Sequence, residues 1–274
     1  MSRTEATLNE LDGWRGTNRP LVVAHRGDAH RAPENTLAAF RAAHEAGADA
    51  IELDVQLTAD GVPVVVHDEL LDRTTSGTGP VRALTWSRIR ELDAGSWFDP
   101  RYAGEWVPAL AEVVAWAAET GMRLLVEPKT SPVFDTAAAS ALAGVLAGSG
   151  ATVIVYGSDH LLIRELAELA PGVPRGVIVN ERTSRTGQLL DEAQAGLLSQ
   201  STWCLTPDVV ESAHAAGRLV IASARYPGDV ALLAGWGVDL IASDRTSLTT
   251  VSTQLSARAP MRRSQARWTT CSPL

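Results

Sequence analysis

Ala50-Ile51-Glu52-Leu53-Asp54-Val55 is an apolar run in which two carboxylates recur two residues apart. Extended, it sends Glu52 and Asp54 to one face and Ile51, Leu53 and Val55 to the other. Similar runs appear on both sides of it. Taken with it, Leu21 to His25, Arg123 to Glu127, Thr152 to Tyr156, Arg175 to Val179, Ser201 to Leu205, Arg218 to Ala222 and Val238 to Ala242 make eight expected strands. Between them lie amphipathic segments at Glu34 to Ala46, Ala109 to Thr120, Asp135 to Ala147, His160 to Leu169, Pro207 to Ala216 and Gly228 to Ala234, several followed by a glycine suited to a helix C-terminus. Eight alternating units predict an α/β fold of the (β/α)8 TIM-barrel type.

The connection from the second strand to the third is too long for one helix. It carries an Asp60-Gly61 turn, a further strand from Pro63 to His67, a polar Gly-rich run from Thr74 to Gly79 and a short helix near Leu84 to Leu92. It predicts a small insertion, about residues 56–108, over the top of the barrel. Residues 1–256 are expected to form one barrel domain, and the Ser/Thr/Arg-rich residues 257–274 a flexible tail.

A chain of 274 residues with 45% hydrophobic content suits a single core of barrel size. Its net charge of -8 disfavours nucleic acid and anionic membrane surfaces, leaving a small molecule as the expected partner. Cys204 and Cys271 cannot build a disulfide framework, and no apolar stretch approaches the length of a membrane span. A cytoplasmic protein without stable membrane association is expected. Of the 24 basic residues all but Lys129 are Arg, so that position is a candidate for a compact ammonium.

In a barrel of this type the chemistry lies at the C-terminal strand ends. The first strand ends in His25-Arg26-Gly27, the second bears Glu52 and Asp54, the inserted strand ends in His67-Asp68, and the third ends in Glu127-Pro128-Lys129. Glu52, Asp54 and Glu127 form an oxygen-only ligand set for one hard divalent cation, Mg2+ or Ca2+. Arg26 and Lys129 beside such an ion would clamp a phosphate diester, and His25 and His67 could serve as its acid and base. The other four histidines, His30, His44, His160 and His214, read as surface or flank residues. Asp49, Asp68 and Asp72 read as structural or turn residues, with Asp68 able to buttress His67.

These residues belong to an ordered series: His25-Arg26-Gly27, Pro33-Glu34-Asn35-Thr36, Gly47-Ala48-Asp49, Glu52-Leu53-Asp54, Asp60-Gly61, Val65-Val66-His67-Asp68, Leu71-Asp72-Arg73-Thr74-Thr75 and Glu127-Pro128-Lys129. The series resembles the glycerophosphodiester phosphodiesterase family from about residue 20 to 130. The resemblance implies a TIM-type barrel and metal-dependent hydrolysis of glycerophosphodiesters to glycerol 3-phosphate and an alcohol. It implies His25 and His67 as the catalytic pair, Glu52, Asp54 and Glu127 as metal ligands, Arg26 and Lys129 as phosphate contacts, and Glu34 as a support for His25 or Arg26.

The second half departs from the family pattern. Gly157-Ser158 stands where Ser-Phe is usual, and Ala222-Ser223-Ala224-Arg225 where Trp-Thr-Val-Asn is usual, while Ser243-Asp244 keeps the family's acid. Arg225 is therefore a candidate contact for an anionic substituent, with Tyr156, Trp203 or Tyr226 as an apolar wall. Two alternatives accompany this reading: a phospholipase-D-like enzyme of the sphingomyelinase-D or lysophospholipase-D type acting on a lipid, and a non-catalytic ligand-binding relative.

Overall fold

The computed structural model describes residues 11–129 and 136–247. In chain order the elements are β1 (Leu21–His25), α1 (Leu37–Glu45), β2 (Ala50–Leu57), β3 (Pro63–Val65), α2 (Trp86–Ile89), α3 (Leu110–Thr120), β4 (Arg123–Pro128), α4 (Thr136–Leu146), β5 (Val153–Gly157), α5 (His160–Leu169), β6 (Arg175–Ile178), α6 (Thr186–Glu192), β7 (Leu197–Ser199), α7 (Pro207–Ala215), β8 (Leu219–Ser223), α8 (Pro227–Gly235) and β9 (Leu240–Ser243). Eight strands run parallel in the order β1-β2-β4-β5-β6-β7-β8-β9, and β9 pairs back onto β1 to close the barrel. The extra strand β3 lies antiparallel on β2, with Val55 opposite Val65.

Strand alternation divides the core in two. Val23, Ala50, Leu125, Ile154, Leu219 and Leu240 pack together inside the barrel, whereas Ile51, Leu53, Leu124 and Val126 pack outward with Phe40, Val113 and Leu142 of the helices. Leu11 and Trp14, both fully buried, join Leu21, Leu197 and Leu240 and so cover the N-terminal end of the barrel. The segment between β2 and β4 has its own cluster of Val64, Val66, Leu71, Val81, Ile89 and Val107. Among the described residues, no helix is long and apolar enough to cross a membrane.

Most expected strands lie within two residues of their predicted bounds, but the one at Ser201 to Leu205 is displaced. The strand is Leu197–Ser199, too short to show a pattern, and 201–205 is a turn in which Ser201 O accepts from both Cys204 N and Leu205 N. Its apolar content serves packing: Cys204 and Leu205 are buried there, and Trp203 stands out in solvent. The inserted strand ends at Val65 rather than His67, and the inserted helix is the short Trp86–Ile89. Helix α6, with few apolar positions, fits the alternation of eight units but is not among the segments named from the sequence. Helix α1 begins at Leu37 rather than Glu34, because Thr36 is its N-cap and accepts from Ala39 N. The expected tail at 257–274, and Cys271, lie outside the described residues.

Gly27 has φ +82°, and a Cβ there would lie 2.7 Å from the Ala39 carbonyl carbon. Gly47 has φ +80° with open space around it. Gly27→Ala should therefore cost about 1–3 kcal/mol more than Gly47→Ala, since only the first adds overpacking to left-handed strain. Equilibrium urea unfolding of both variants measures the difference; equal losses would remove the packing argument.

Candidate active site

Register brings the polar strand ends together. His25 pairs with Glu52 across β1 and β2, and Asp54 pairs with Glu127 across β2 and β4. All four lie at inward parity, continuing the interior rows of Val23, Ala50 and Leu125. Carboxylate oxygens of Glu52, Asp54 and Glu127 lie within 4.8 Å of one another. Glu52 and Asp54 are fully buried, and Glu52 Oε1 has no hydrogen-bond partner among the described residues. Three converging carboxylates, one with an unpartnered buried oxygen, fit a hard divalent cation.

The backbone continues extended past Pro128, since Lys129 N donates to Val55 O at 2.8 Å. This puts Lys129 Nζ 2.6 Å from Glu127 Oε1 and 2.9 Å from Asp54 Oδ1. On the other side Arg26 takes the left-handed conformation, φ +57°, uncommon for a residue with a side chain. That turn lets Arg26 N donate to Glu52 Oε2 at 3.1 Å and sets Arg26 Nε 3.1 Å from Asp54 Oδ2. Asn35, also left-handed, brackets Asp54: its side-chain N donates to Oδ2 at 2.9 Å, and its Oδ1 accepts from Asp54 N at 3.2 Å. Glu34 supports Arg26, accepting from Nη1 at 2.9 Å.

The two histidines are held by different acids. His25 Nδ1 lies 2.5 Å from Asp244 Oδ1, just beyond the end of β9, with Nε2 3.8 Å from Glu52 Oε2. His67 Nδ1 lies 2.7 Å from Asp68 Oδ1, so Asp68 is the buttress that the sequence suggested. Burial works against charging His25, but the Glu52 carboxylate and the Asp244 hydrogen bond outweigh it and carry its pKa up to about 9. Burial, reinforced by Asp54, pushes Glu52 up to about 8. Asp54 is held below the ordinary range because Lys129 and Arg26 overcome the cost of its burial.

Asp244, Asn35 and Arg73 are part of this arrangement and carried no assigned role in the sequence reading. Asn35 and Arg73 stand in the motif series, Asn35 directly beside Glu34, whereas Asp244 lies outside it, in the Ser243-Asp244 pair after the last strand. Tyr156, expected to wall the mouth, is buried with Leu125 and Ile154 inside the barrel. Trp203 and Tyr226 stand 67% and 69% exposed on the loops after β7 and β8. A concavity of about 380 Å³, lined by Trp14, Gly148, Gly150 and Gly172 among others, opens at the opposite, N-terminal end of the strands and has no ionisable lining.

Fold and mouth together define a parallel barrel with a divalent-cation-type carboxylate cluster flanked by fixed cations and acid-held imidazoles. The chain belongs to the glycerophosphoryl diester phosphodiesterase family, whose profile matches residues 25–248; members of that family are phosphoric diester hydrolases. A glycerophosphodiester phosphodiesterase of Caldanaerobacter subterraneus is 41% identical over 162 residues, covering 58% of this chain and 67% of that one. Among solved structures, a phosphodiesterase of Oleispira antarctica in complex with the product sn-glycerol-3-phosphate superposes with a TM-score of 0.82 at 29% identity, covering 86% of this chain and 97% of that one. A glycerophosphodiester phosphodiesterase of Agrobacterium tumefaciens gives 0.74 at 31%, covering 85% and 99%.

Without a metal, folded Glu52 and His25 keep their protons to about 8 and about 9, whereas unperturbed groups release them at 4.5 and 6.5. Between pH 6.5 and 8 the folded state thus binds more protons than the unfolded state, and stability should fall as pH rises. A divalent cation that displaces the Glu52 proton should flatten this slope. Thermal midpoints taken across that window, in chelator and in Ca2+, test both signs; a midpoint that rises with pH in chelator contradicts the assignment.

Proposed function

We propose that the chain is a divalent-cation-dependent hydrolase that splits glycerophosphodiesters, or a related small phosphodiester, into a phosphomonoester such as glycerol 3-phosphate and an alcohol. The carrying observation is the convergence of the acidic cluster with His25, Arg26 and Lys129 on adjacent strand ends. The product bound to the Oleispira enzyme supports glycerol 3-phosphate as the phosphomonoester. A small-molecule partner belongs to the same reading on the strength of the acidic net charge, and a cytoplasmic location is proposed alongside it.

Glu52, Asp54 and Glu127 would hold the cation, Mg2+ or Ca2+, which when bound supplies Lewis-acid polarisation of a phosphoryl oxygen. Arg26 and Lys129 reach the same point from opposite sides and stabilise charge that builds on the nonbridging oxygens. Their own carboxylate partners keep both heads in place. His25, held at Nδ1 by Asp244, would give the proton on Nε2 to the departing alcohol oxygen as the P–O bond breaks. His67, with Nδ1 turned to Asp68, offers Nε2 as the acceptor for the proton of the attacking hydroxyl. Where the attacking hydroxyl is water the new P–O bond completes the monoester; where it is the substrate's own, the bond closes a cyclic diester that water then opens to the monoester.

A panel of glycerophosphodiesters, scored for alcohol release with Mg2+ and Ca2+ separately, tests the reading. Chelator should abolish turnover, and His25→Ala and His67→Ala should each lower kcat by about 10²-fold or more. Full activity in chelator would remove the metal, and a fully active His67→Ala would remove the pairing. A diester lacking the hydroxyl next to phosphorus decides between direct water attack and a cyclic phosphate; normal turnover excludes the cyclic route.

Lys129→Arg tests the lone lysine. A planar guanidinium cannot occupy the point between Asp54 and Glu127 as the ammonium does, so kcat should fall by about tenfold with folding retained. Unchanged kinetics would mean that charge alone suffices there.

A further inference from the structure

Arg73 lies in the segment between β3 and α2, outside the proposed catalytic set, and its guanidinium joins two parts of the mouth that are distant in sequence. One edge binds Asp68: Nε donates to Oδ2 at 2.6 Å and Nη2 to Oδ1 at 2.9 Å. The other edge binds Glu34: Nη1 donates to Oε2 at 2.8 Å and Nη2 to Oε1 at 2.8 Å. Both carboxylates have a second task. Asp68 Oδ1 is the atom 2.7 Å from His67 Nδ1, and Glu34 Oε1 is the atom that accepts from Arg26 Nη1 at 2.9 Å. The same planar fork therefore fixes the acid behind the histidine and the acid behind the phosphate-clamping arginine.

We propose that Arg73 is a positioning residue that sets His67 and Arg26 jointly, by clamping Asp68 and Glu34 in one plane. The proposal rests on the phosphodiesterase reading above for its effect on turnover, and on geometry alone for its effect on His67. With Asp68 clamped, its oxygen faces Nδ1, the neutral ring keeps its proton there, and Nε2 carries the lone pair that proton transfer needs. With Glu34 clamped, Arg26 has a fixed partner on the side away from Asp54. Gln56 supports the same geometry from below by donating to His67 O at 3.1 Å, so the histidine backbone stays in place when Arg73 is changed. Lysine cannot reproduce the effect, because a single ammonium lacks the two parallel edges that hold two carboxylates coplanar.

The test uses the full chain with Mg2+ or Ca2+ present and the variants Arg73→Lys, Arg73→Gln and Arg73→Ala. Arg73→Lys and Arg73→Gln should each lower kcat by about tenfold or more, with KM changing less than kcat. Arg73 is close to half exposed, which leaves a path for a small cation. Millimolar guanidinium should therefore restore part of the activity of Arg73→Ala. In a double-mutant cycle Asp68→Asn and Arg73→Gln should be non-additive, the double variant falling within about twofold of the weaker single. Ring-15N NMR of His67, its signal identified by its loss in His67→Gln, should show the Nδ1–H tautomer in the parent and a mixture in Arg73→Gln.

Full activity of Arg73→Lys, or an unchanged His67 signal in Arg73→Gln, overturns the proposal. Failure of guanidinium to restore any activity, or additive losses in the cycle, does the same. If the parent turns over no glycerophosphodiester, the phosphodiesterase reading fails, and the NMR measurement still decides the role of Arg73.

Discussion

Repulsion among Glu52, Asp54 and Glu127 is the constraint on which the rest of the mouth depends. Three carboxylates within 4.8 Å, two of them fully buried, would be costly if all were charged and nothing answered them. The surrounding residues answer in three ways. Lys129 and Arg26 bring positive charge to Asp54, Asn35 and the Arg26 amide bring hydrogen bonds, and burial pushes the Glu52 pKa up to about 8, easing its loss of charge. The left-handed backbone at Arg26 and Asn35 follows from that need, since each conformation aims a donor at a carboxylate that strand geometry alone would leave bare.

The barrel was legible because its strands obey alternation. Ile51, Leu53, Leu124 and Val126 face helices, so their runs stand out, and the polar residues at inward parity were found by counting in twos. Where an element is short or polar, that signal fails. Leu197–Ser199 is three residues long, and the more strand-like composition of 201–205 belongs to a turn that buries Cys204 and Leu205. The carboxylate cluster could be anticipated because register makes neighbours of strand ends. The pairing of Asp244 with His25 could not, since a link across the closing seam of the barrel leaves no local trace.

The two halves of the mouth are built differently. Residues 25–129 supply the charged groups and nearly all the hydrogen bonds that fix them, and this is the stretch whose motifs resemble the family most closely. The loops after β6, β7 and β8 are laced by lighter contacts, such as Ser201 Oγ to Asn180 Oδ1 at 2.6 Å and Thr202 Oγ1 to Ser223 O at 2.6 Å. They carry their aromatics outward, with Trp203 and Tyr226 more than half exposed. Tyr156, one residue before the position where the family pattern places Ser-Phe, is buried inside the barrel with its hydroxyl turned to Glu52. The acidic cluster and its cations thus sit on or just past strand ends, and the exposed aromatics of the rim sit on loops.

The bond between His25 and Asp244 joins the first strand to the end of the last. A ribosome releases His25 early and Asp244 more than two hundred residues later. Until β9 docks against β1, the histidine lacks the carboxylate that orients it, however well the first half has already formed. The orientation of this imidazole therefore arrives with ring closure, and a half-barrel carrying Glu52, Asp54 and Glu127 would still lack it.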